Sequence, residues 1–391
     1  MEREQKQQII KDLHKKMVFL TGPRQVGKTW LAKNIAQSFS NSLYLNYDSL
    51  TDRKIIMDES WLDTTQLLIL DELHKMPNWK NYIKGVYDTK PNHQMILVTG
   101  SARLEAFRQH GDSLAGRFFR HRLLPFSPAE TGIDHSQIDI QRFLSRGGFP
   151  EPLLSDESVD ADRWRMQYLD GLIRTDILDF EKIHDFRAIQ LVLTLLRSRA
   201  GSPISYRSIA EDVSISPNTV KKYIEILESL FIVFRIVPFT KNIARSILKE
   251  PKLYFFDTGM VENDEGIRFE NLVALCLLKQ VYSINDLLGK PYTLHYLRTK
   301  DGAEVDFCIA ENNIPKLMIE VKTSQANLSS HLINFNKKYN IPGLQLVLHL
   351  KHEKQMNGLA VRKASNYLCS LGKEIGPTID NNENITSAKM P

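Results

Sequence analysis

"MVFLTGPRQVGKTW", Met17–Trp30, decides the fold. It opens with an unbroken apolar run and closes by starting an amphipathic pattern, "TWLAKNIAQSF". Between them "GPRQVGKT", Gly22–Thr29, matches G-x-x-x-x-G-K-[ST]. A glycine-bearing loop between a buried strand and a helix curls its backbone amides around phosphate oxygens at the positive end of that helix. Gly22, Pro23, Arg24, Gln25, Val26, Gly27, Lys28 and Thr29 are therefore the candidate nucleotide loop. In it Lys28 reaches the β and γ phosphates and Thr29 ligates Mg2+.

Working outward, the short apolar runs "SLYLNYD", "QLLILDE" and "QMILVTGSA" alternate with amphipathic stretches. Continuous apolar strands followed by helices predict a doubly wound α/β fold with a parallel sheet buried on both faces. "LLILDE" ends in two carboxylates: Asp71 is placed to hold the metal's water shell and Glu72 to polarise an attacking water. "MILVTGS" ends in Thr99 and Ser101, either of which suits a bond to the γ-phosphate or the water. Ser101 is the favoured one, and an N-cap for the next helix is the alternative. In "SLAGRFFRHRLLPFS", Arg117 is a candidate arginine finger, supplied in cis or from a neighbouring subunit, against a structural ion pair or a solvated basic face. A finger in trans implies a homo-oligomer.

The 391 residues exceed one ordinary core, and roughly two to four units are expected. The formal charge of +5 permits a polyanionic partner without requiring one. Cys276, Cys308 and Cys369 are far apart in sequence, with neither metal-ligand spacing nor a disulfide framework, which fits a reducing compartment. The start "MEREQKQQIIKDLHKK" is charged, and no run approaches the ~20 apolar residues that span a bilayer, so no membrane partner and a cytoplasmic location are expected.

After "SRGGFPEPLL" the texture turns helical to about Ala200. From Ser205, Ile209, Val213, Ile215, Val220, Ile224 and Leu227 suit a compact helix-turn-helix core, with Ser216 as N-cap and Pro217 at the first helical position. The run after Leu230 and "KLYFFD" then form the two strands of a wing, a winged helix. Between Arg197 and Glu250 nine Lys or Arg stand against five Asp or Glu, and Asn218, Thr219, Lys221 and Lys222 crowd the front of the second helix. Polar and basic residues there suit DNA, and a brace between domains is the alternative.

A last unit reads α-β-β-β-α-β, from "IRFENLVALCLLKQV" to "LQLVLHL". In "EVDFCIAENNIPKLMIEVKTS", Glu304–Ser324, alternation puts Val305, Phe307 and Ile309 on one face and Glu304, Asp306 and Cys308 on the other. The same arithmetic pairs Glu320 with Lys322. If the two strands are antiparallel neighbours, Asp306, Glu320 and Lys322 converge as a candidate site for metal-dependent phosphodiester hydrolysis. Asp306, thirteen residues, then Glu320-x-Lys322 is similar to the PD-(D/E)xK nuclease signature, and Glu270 matches the acidic residue that many such nucleases place on the preceding helix. Val305 stands where that signature has Pro. Glu270, Asp306 and Glu320 are thus candidate metal ligands, with His295 and His331 as possible assistants, and a charged ladder on an exposed sheet face is the plain alternative.

"GPRQVGKT", "LDELHKMPNW", "TGSARLEAF", "SLAGR" and "GGFPEP", in this order, resemble a prokaryotic family of AAA+ ATPases that carries a C-terminal domain of unknown function. The resemblance implies ATP as nucleotide and four segments: a P-loop ATPase core over 1–145, a helical lid and connector over 146–200, a winged helix over 201–262 and a restriction-endonuclease-like α/β domain over 263–375; the polar, aperiodic tail over 376–391 is expected to be disordered. The resemblance implies no settled substrate; with the basic second helix, the reading is an ATPase that engages DNA through the winged helix and carries a nuclease-like end domain, and the alternative is a non-nucleolytic NTP-dependent switch whose end domain binds a protein or nucleic-acid partner.

Overall fold

A computed structural model of the protein describes residues 3–100, 114–131, 140–172, 185–240, 250–262, 264–299 and 301–371. Ser101 and the tail from residue 376 lie outside them. The chain divides into two compact units, residues 1–125 with 229–231, and residues 126–228 with 232–391.

In the first unit α1 (Lys6–Leu13) precedes β1 (Met17–Thr21), and α2 (Lys28–Ala36) leads to β2 (Ser42–Asn46). Then come α3 (Leu50–Asp58), β3 (Leu67–Asp71), α4 (Trp79–Thr89), β4 (Met95–Thr99) and β5 (Phe118–Arg122). The strands form one sheet in the order β2-β3-β4-β1-β5, and every pairing is parallel. β1 and β3 are buried along their whole length, whereas the edge strands β2 and β5 are partly exposed. The unbroken apolar runs thus mark central strands, as expected of a parallel sheet covered on both faces. On one face Phe19, Leu68, Leu70, Ile96 and Val98 pack with Trp79, Ile83 and Val86 of α4. Each such side chain contributes about 1.5–3 kcal/mol on burial, more than local propensity decides.

Two details of this sheet position chemistry. β4 stands between β1 and β3, with Thr99 level with Leu20 on one side and Asp71 on the other. Asn46 of β2 is level with Asp71 on its far side. The carboxyl ends of the central strands therefore converge beside the loop that follows β1, where ligands of open α/β sheets bind.

The second unit begins with short helices, α5 (Pro128–Thr131), α6 (Ile140–Arg146) and α7 (Pro150–Leu154), then α8 (Ser158–Gly171) and α9 (Phe186–Ser198). Next are α10 (Tyr206–Val213) and α11 (Pro217–Ser229), followed by β6 (Val233–Ile236) and β7 (Lys252–Phe255), which pair antiparallel. Ile209, Val220, Ile224 and Leu227 are fully buried, while Val213 and Ile215 are half-buried. Ser216 caps α11, its hydroxyl accepting the Thr219 amide at 3.1 Å. Arg165 of α8 and Asp257 form a buried pair at 2.9 Å.

The rest of this unit is α12 (Glu265–Leu288), β8 (Tyr292–Arg298), β9 (Glu304–Glu311), β10 (Ile314–Lys322), α13 (Ser330–Tyr339) and β11 (Gly343–Val347). That is the α-β-β-β-α-β order of the sequence reading. Beyond it the chain adds β12 (Lys354–Met356), β13 (Leu359–Lys363) and α14 (Ala364–Ser370), completing a six-stranded sheet in the order β12-β13-β11-β10-β9-β8. β8, β9 and β10 are antiparallel neighbours, and β10 runs parallel to β11.

The predicted alternation along β9 needs a correction. A register shift between β8 and β9 takes the pairing from His295↔Cys308 to Leu297↔Val305, so β9 spends one residue more than β8 there. Such a bulge rotates the strand. Val305 and Cys308 consequently pack in the same apolar cluster with Leu297, Met318 and Leu332, instead of on opposite faces.

Candidate functional site

The loop after β1 takes its shape from its glycines. Gly22 has φ +148°, and a Cβ there would meet the Leu123 carbonyl oxygen at 2.1 Å. Gly27, at φ +97°, is the residue before α2, in a left-handed conformation that lets the chain turn into the helix. Lys28 is buried and folds back on its own loop, its ammonium donating to the carbonyl oxygens of Gly22 at 3.1 Å and Pro23 at 2.6 Å. Burial holds this ammonium down to about 8, while the carboxylates of Glu72 and Asp71 oppose that fall. The loop is also tethered from outside the motif: the Arg3 guanidinium donates to the Val26 carbonyl at 2.5 Å and to the Leu124 carbonyl at 3.1 Å.

Asp71 gathers three hydroxyls. Thr29 donates to one carboxylate oxygen at 2.8 Å and Tyr44 of β2 to the same oxygen at 2.6 Å, while Thr99 of β4 donates to the other. Burial and the bond to Asp71 push the Tyr44 phenol well above its ordinary range. Glu72 follows in a left-handed backbone conformation, φ +56°, and its amide donates to the Thr99 carbonyl at 3.0 Å. Its carboxylate lies 3.6 Å from the His74 ring and 3.5 Å from the Lys75 ammonium. Burial raises the Glu72 carboxyl above the usual range, with Lys75 and Lys28 pulling the other way. A half-buried carboxylate of raised basicity beside a phosphate loop suits a group that orients water.

The structure thus brings together Gly22–Thr29, Asp71, Glu72 and Thr99. Tyr44 and Arg3 were missed in sequence, because neither spacing nor motif marks them: Tyr44 reaches Asp71 only through the β2–β3 pairing. Thr99 is the hydroxyl that meets Asp71; Ser101, favoured in the sequence reading, lies outside the described residues. Arg117 is not brought to this site. It precedes β5 at the amino end of the sheet, its carbonyl accepting the Met17 amide at 3.2 Å, a strand length of roughly 13 Å from the phosphate loop. Its guanidinium is bonded to both oxygens of Asp88, at 2.8 and 3.0 Å. The in-cis finger is therefore set aside.

Mg2+ at this loop can be tested against its donors. Thr29 and Asp71, a hydroxyl and a carboxylate 2.8 Å apart at a helix N-terminus, are the hard oxygen ligands that ion takes, and they fit it.

The second candidate cluster lies in the C-terminal sheet. Asp306 of β9 and Glu320 of β10 lie one residue beyond the paired Phe307 and Ile319, and Asp306 accepts the Val321 amide at 2.8 Å. Burial lifts the Asp306 carboxyl well above its ordinary range, and Glu270 and Glu320 lift it further. Glu320 is buried, with one oxygen 2.8 Å from the Lys322 ammonium and the other without a hydrogen-bond partner.

The group that sequence reading missed is Lys252, from β7. Its buried ammonium stands 2.7 Å from Glu304, 3.3 Å from Glu270 and 3.9 Å from Asp306. Although burial alone would lower it, the carboxylates of Glu270, Asp306 and Glu304 raise the Lys252 ammonium above its ordinary range. Tyr254 donates to the same Glu270 oxygen at 2.7 Å. His295 turns to the Val237 carbonyl and His331 to the Glu304 carbonyl, so neither bonds a carboxylate of the cluster. Among the described residues no group of three or more His, Cys, Asp or Glu side chains is placed to hold a metal ion. Of the expected ligand set, Glu270 and Asp306 stand beside the Lys252 ammonium together with Glu304, while Glu320 is paired with Lys322.

Cys276 and Cys308 are buried, and burial pushes both thiols up to about 12, as expected of inert core cysteines. Among the described residues no helix is long and apolar enough to cross a membrane.

Comparison with known proteins follows the same division of the chain. A model described as an AAA domain matches residues 14–132; one described as a domain of unknown function (DUF8612) matches 137–269; and one described as a domain of unknown function (DUF4143) matches 265–365. The uncharacterized protein Rv2008c of Mycobacterium tuberculosis is 22% identical over 364 residues, 91% of this chain and 81% of that protein. The uncharacterized protein MJ1544 of Methanocaldococcus jannaschii is 25% identical over 368 residues, 84% of this chain and 80% of that protein. Among solved structures, the Walker-type ATPase PABY2304 of Pyrococcus abyssi aligns with 66% of this chain and 94% of its own, at 13% identity and a TM-score of 0.42, a likeness too loose to bear on function. The phosphate loop, the strand-borne Asp71 and the matched families agree: the chain carries an AAA-type P-loop ATPase domain and a C-terminal DUF4143 domain.

Proposed function

We propose that the chain binds ATP with Mg2+ and hydrolyses it at the loop after β1, and that it couples this cycle to an encounter with DNA. The observation that carries the hydrolytic reading is the joining of Thr29, Tyr44 and Thr99 on Asp71, beside Lys28 and Glu72. Thr29 and Asp71 would hold Mg2+, which when bound neutralises charge on the transferring phosphoryl group. Lys28 exchanges the carbonyls of Gly22 and Pro23 for phosphate oxygens, an exchange of neutral for anionic acceptors that strengthens its bonds. Thr99 and Tyr44 fix the Asp71 carboxylate, and Glu72 orients the attacking water. Phosphate release from ATP, with Mg2+ and with the ion chelated, tests this. Protein that neither binds ATP nor releases phosphate in Mg2+ rules it out.

The DNA clause rests on the helix pair α10 and α11 followed by the β6–β7 hairpin, a winged-helix order, with Asn218, Lys221 and Lys222 exposed on the second helix. Lys221 is shared with Glu225 at 3.9 Å, a weak surface pair that phosphate would displace. The logarithm of the affinity for a labelled duplex should fall linearly with log salt concentration, and Lys221→Ala with Lys222→Ala should flatten the slope. Salt-independent or absent binding sinks this clause. One observation favours a second reading, the brace: β7 carries Lys252 into the C-terminal carboxylates, and Pro238 forms a bridge to Tyr296 of β8. The α-β-β-β-α-β order of the last domain supports an endonuclease-like fold, without implying cleavage.

A further inference from the structure

The DUF4143 domain holds the residue types of a metal-dependent phosphodiesterase, yet the arrangement around them does not fit a divalent ion. A metal site of this kind needs carboxylate oxygens turned to a common point and open to water and substrate. Here the point between Glu270, Glu304 and Asp306 is taken by the Lys252 ammonium, at 3.3, 2.7 and 3.9 Å. The side chain is enclosed: only 3% of it is exposed, and the Tyr296 ring lies 5.6 Å from its nitrogen. The lysine does not arrive on a loose loop. Lys252 is the first residue of β7, paired with Ile236 of β6 and bridged to Pro203. The neighbouring Tyr254 also bonds Glu270, so two residues from one strand engage the same carboxylate. The signature lysine, Lys322, is engaged by Glu320 at 2.8 Å.

We infer that Lys252 is the built-in cation of Glu270, Glu304 and Asp306, so that these carboxylates clasp the β6–β7 hairpin to the C-terminal sheet instead of binding metal for hydrolysis. An ammonium delivers one charge and three hydrogen-bond donors to fixed partners, whereas a divalent ion would have to displace it and leave it buried without a partner. The cluster is then a structural element of the domain, independent of whether the first unit hydrolyses ATP.

Mn2+ titration of the nucleotide-free full chain tests this, with the free ion counted by electron paramagnetic resonance. Asp71→Asn is present throughout to remove the metal ligand of the phosphate loop. With Lys252 intact the cluster should take up no Mn2+ at submillimolar ion, and Asp306→Asn should change nothing. Lys252→Met, or Lys252→Gln should the first variant fail to fold, should gain one bound ion, which the further change Asp306→Asn removes. One Mn2+ bound with Lys252 in place and lost in Asp306→Asn overturns the inference, and so does a folded Lys252 variant that gains none. If neither variant folds, the parent and Asp306→Asn decide: silence in both supports the clasp, and an ion lost with Asp306 refutes it.

Discussion

The phosphate loop and the Lys252 cluster are built from similar residues and prepared for opposite ends. At the phosphate loop Lys28 rests on two neutral carbonyls, Asp71 is met by three neutral hydroxyls, and Glu72 is held by His74 and Lys75. In the C-terminal sheet the ammonium of Lys252 already lies among Glu270, Glu304 and Asp306. Neutral partners are weak competitors for a triphosphate and its metal, so the first site can exchange them. A buried ammonium among carboxylates is a strong competitor, because displacing it strands a charge in a low dielectric. The same side-chain types thus make a receptive site in one place and a closed one in the other.

The comparison is broken most directly by substituting each lysine and reading both activity and stability. Lys28→Ala should lower ATP turnover by about a thousandfold, measured as phosphate release, while leaving the denaturant midpoint near that of the parent. Lys252→Met should do the reverse. It should cost about 3–5 kcal/mol in chemical unfolding, as expected when one partner leaves a buried ion cluster, with turnover per folded molecule retained. If Lys252→Met is neutral for stability, the carboxylates do not depend on it and the contrast fails.

Smaller changes sharpen the first site. Glu72→Gln should retain ATP binding and slow hydrolysis by about a hundredfold, seen as ATP that stays bound through gel filtration. Tyr44→Phe removes one of the three hydroxyls on Asp71 and should raise the Mg2+ concentration for half-maximal turnover by about tenfold, since groups that orient a metal ligand carry effects of that size. Arg117→Ala should leave turnover within about twofold, because an exposed pair with Asp88 contributes little. A loss of about a thousandfold there would instead mark a finger donated to a neighbouring subunit.

Much of the first unit was legible beforehand, for a physical reason. A parallel strand buried on both faces must be apolar throughout, and a loop that wraps phosphate needs glycines at fixed offsets, so "MVFLTGPRQVGKT" and "LLILDE" carry their structure in linear form. Ser216 as the cap of α11 was legible in the same way, since capping is local. β12 and β13 were not, because a three-residue exposed strand such as Lys354–Met356 has no periodicity to display. Nor was the bulge of β9, which moved Cys308 onto the face of Val305. A single added residue in the ladder inverts an alternation that every side chain's identity supports.

The sequence by itself determined the nucleotide loop, the identity of its lysine and two carboxylates, and the α-β-β-β-α-β order that opens the last domain, because these depend on neighbours along the chain. Only the tertiary structure decided which partners those groups meet. It put Tyr44 and Thr99 on Asp71 by strand pairing, held Arg117 at the amino end of the sheet, and brought Lys252 to Asp306 across 54 positions of sequence. Charge interactions act through space and are indifferent to spacing in the chain. A signature of acids and a lysine therefore reads alike whether its cation is a bound metal or another residue of the same molecule.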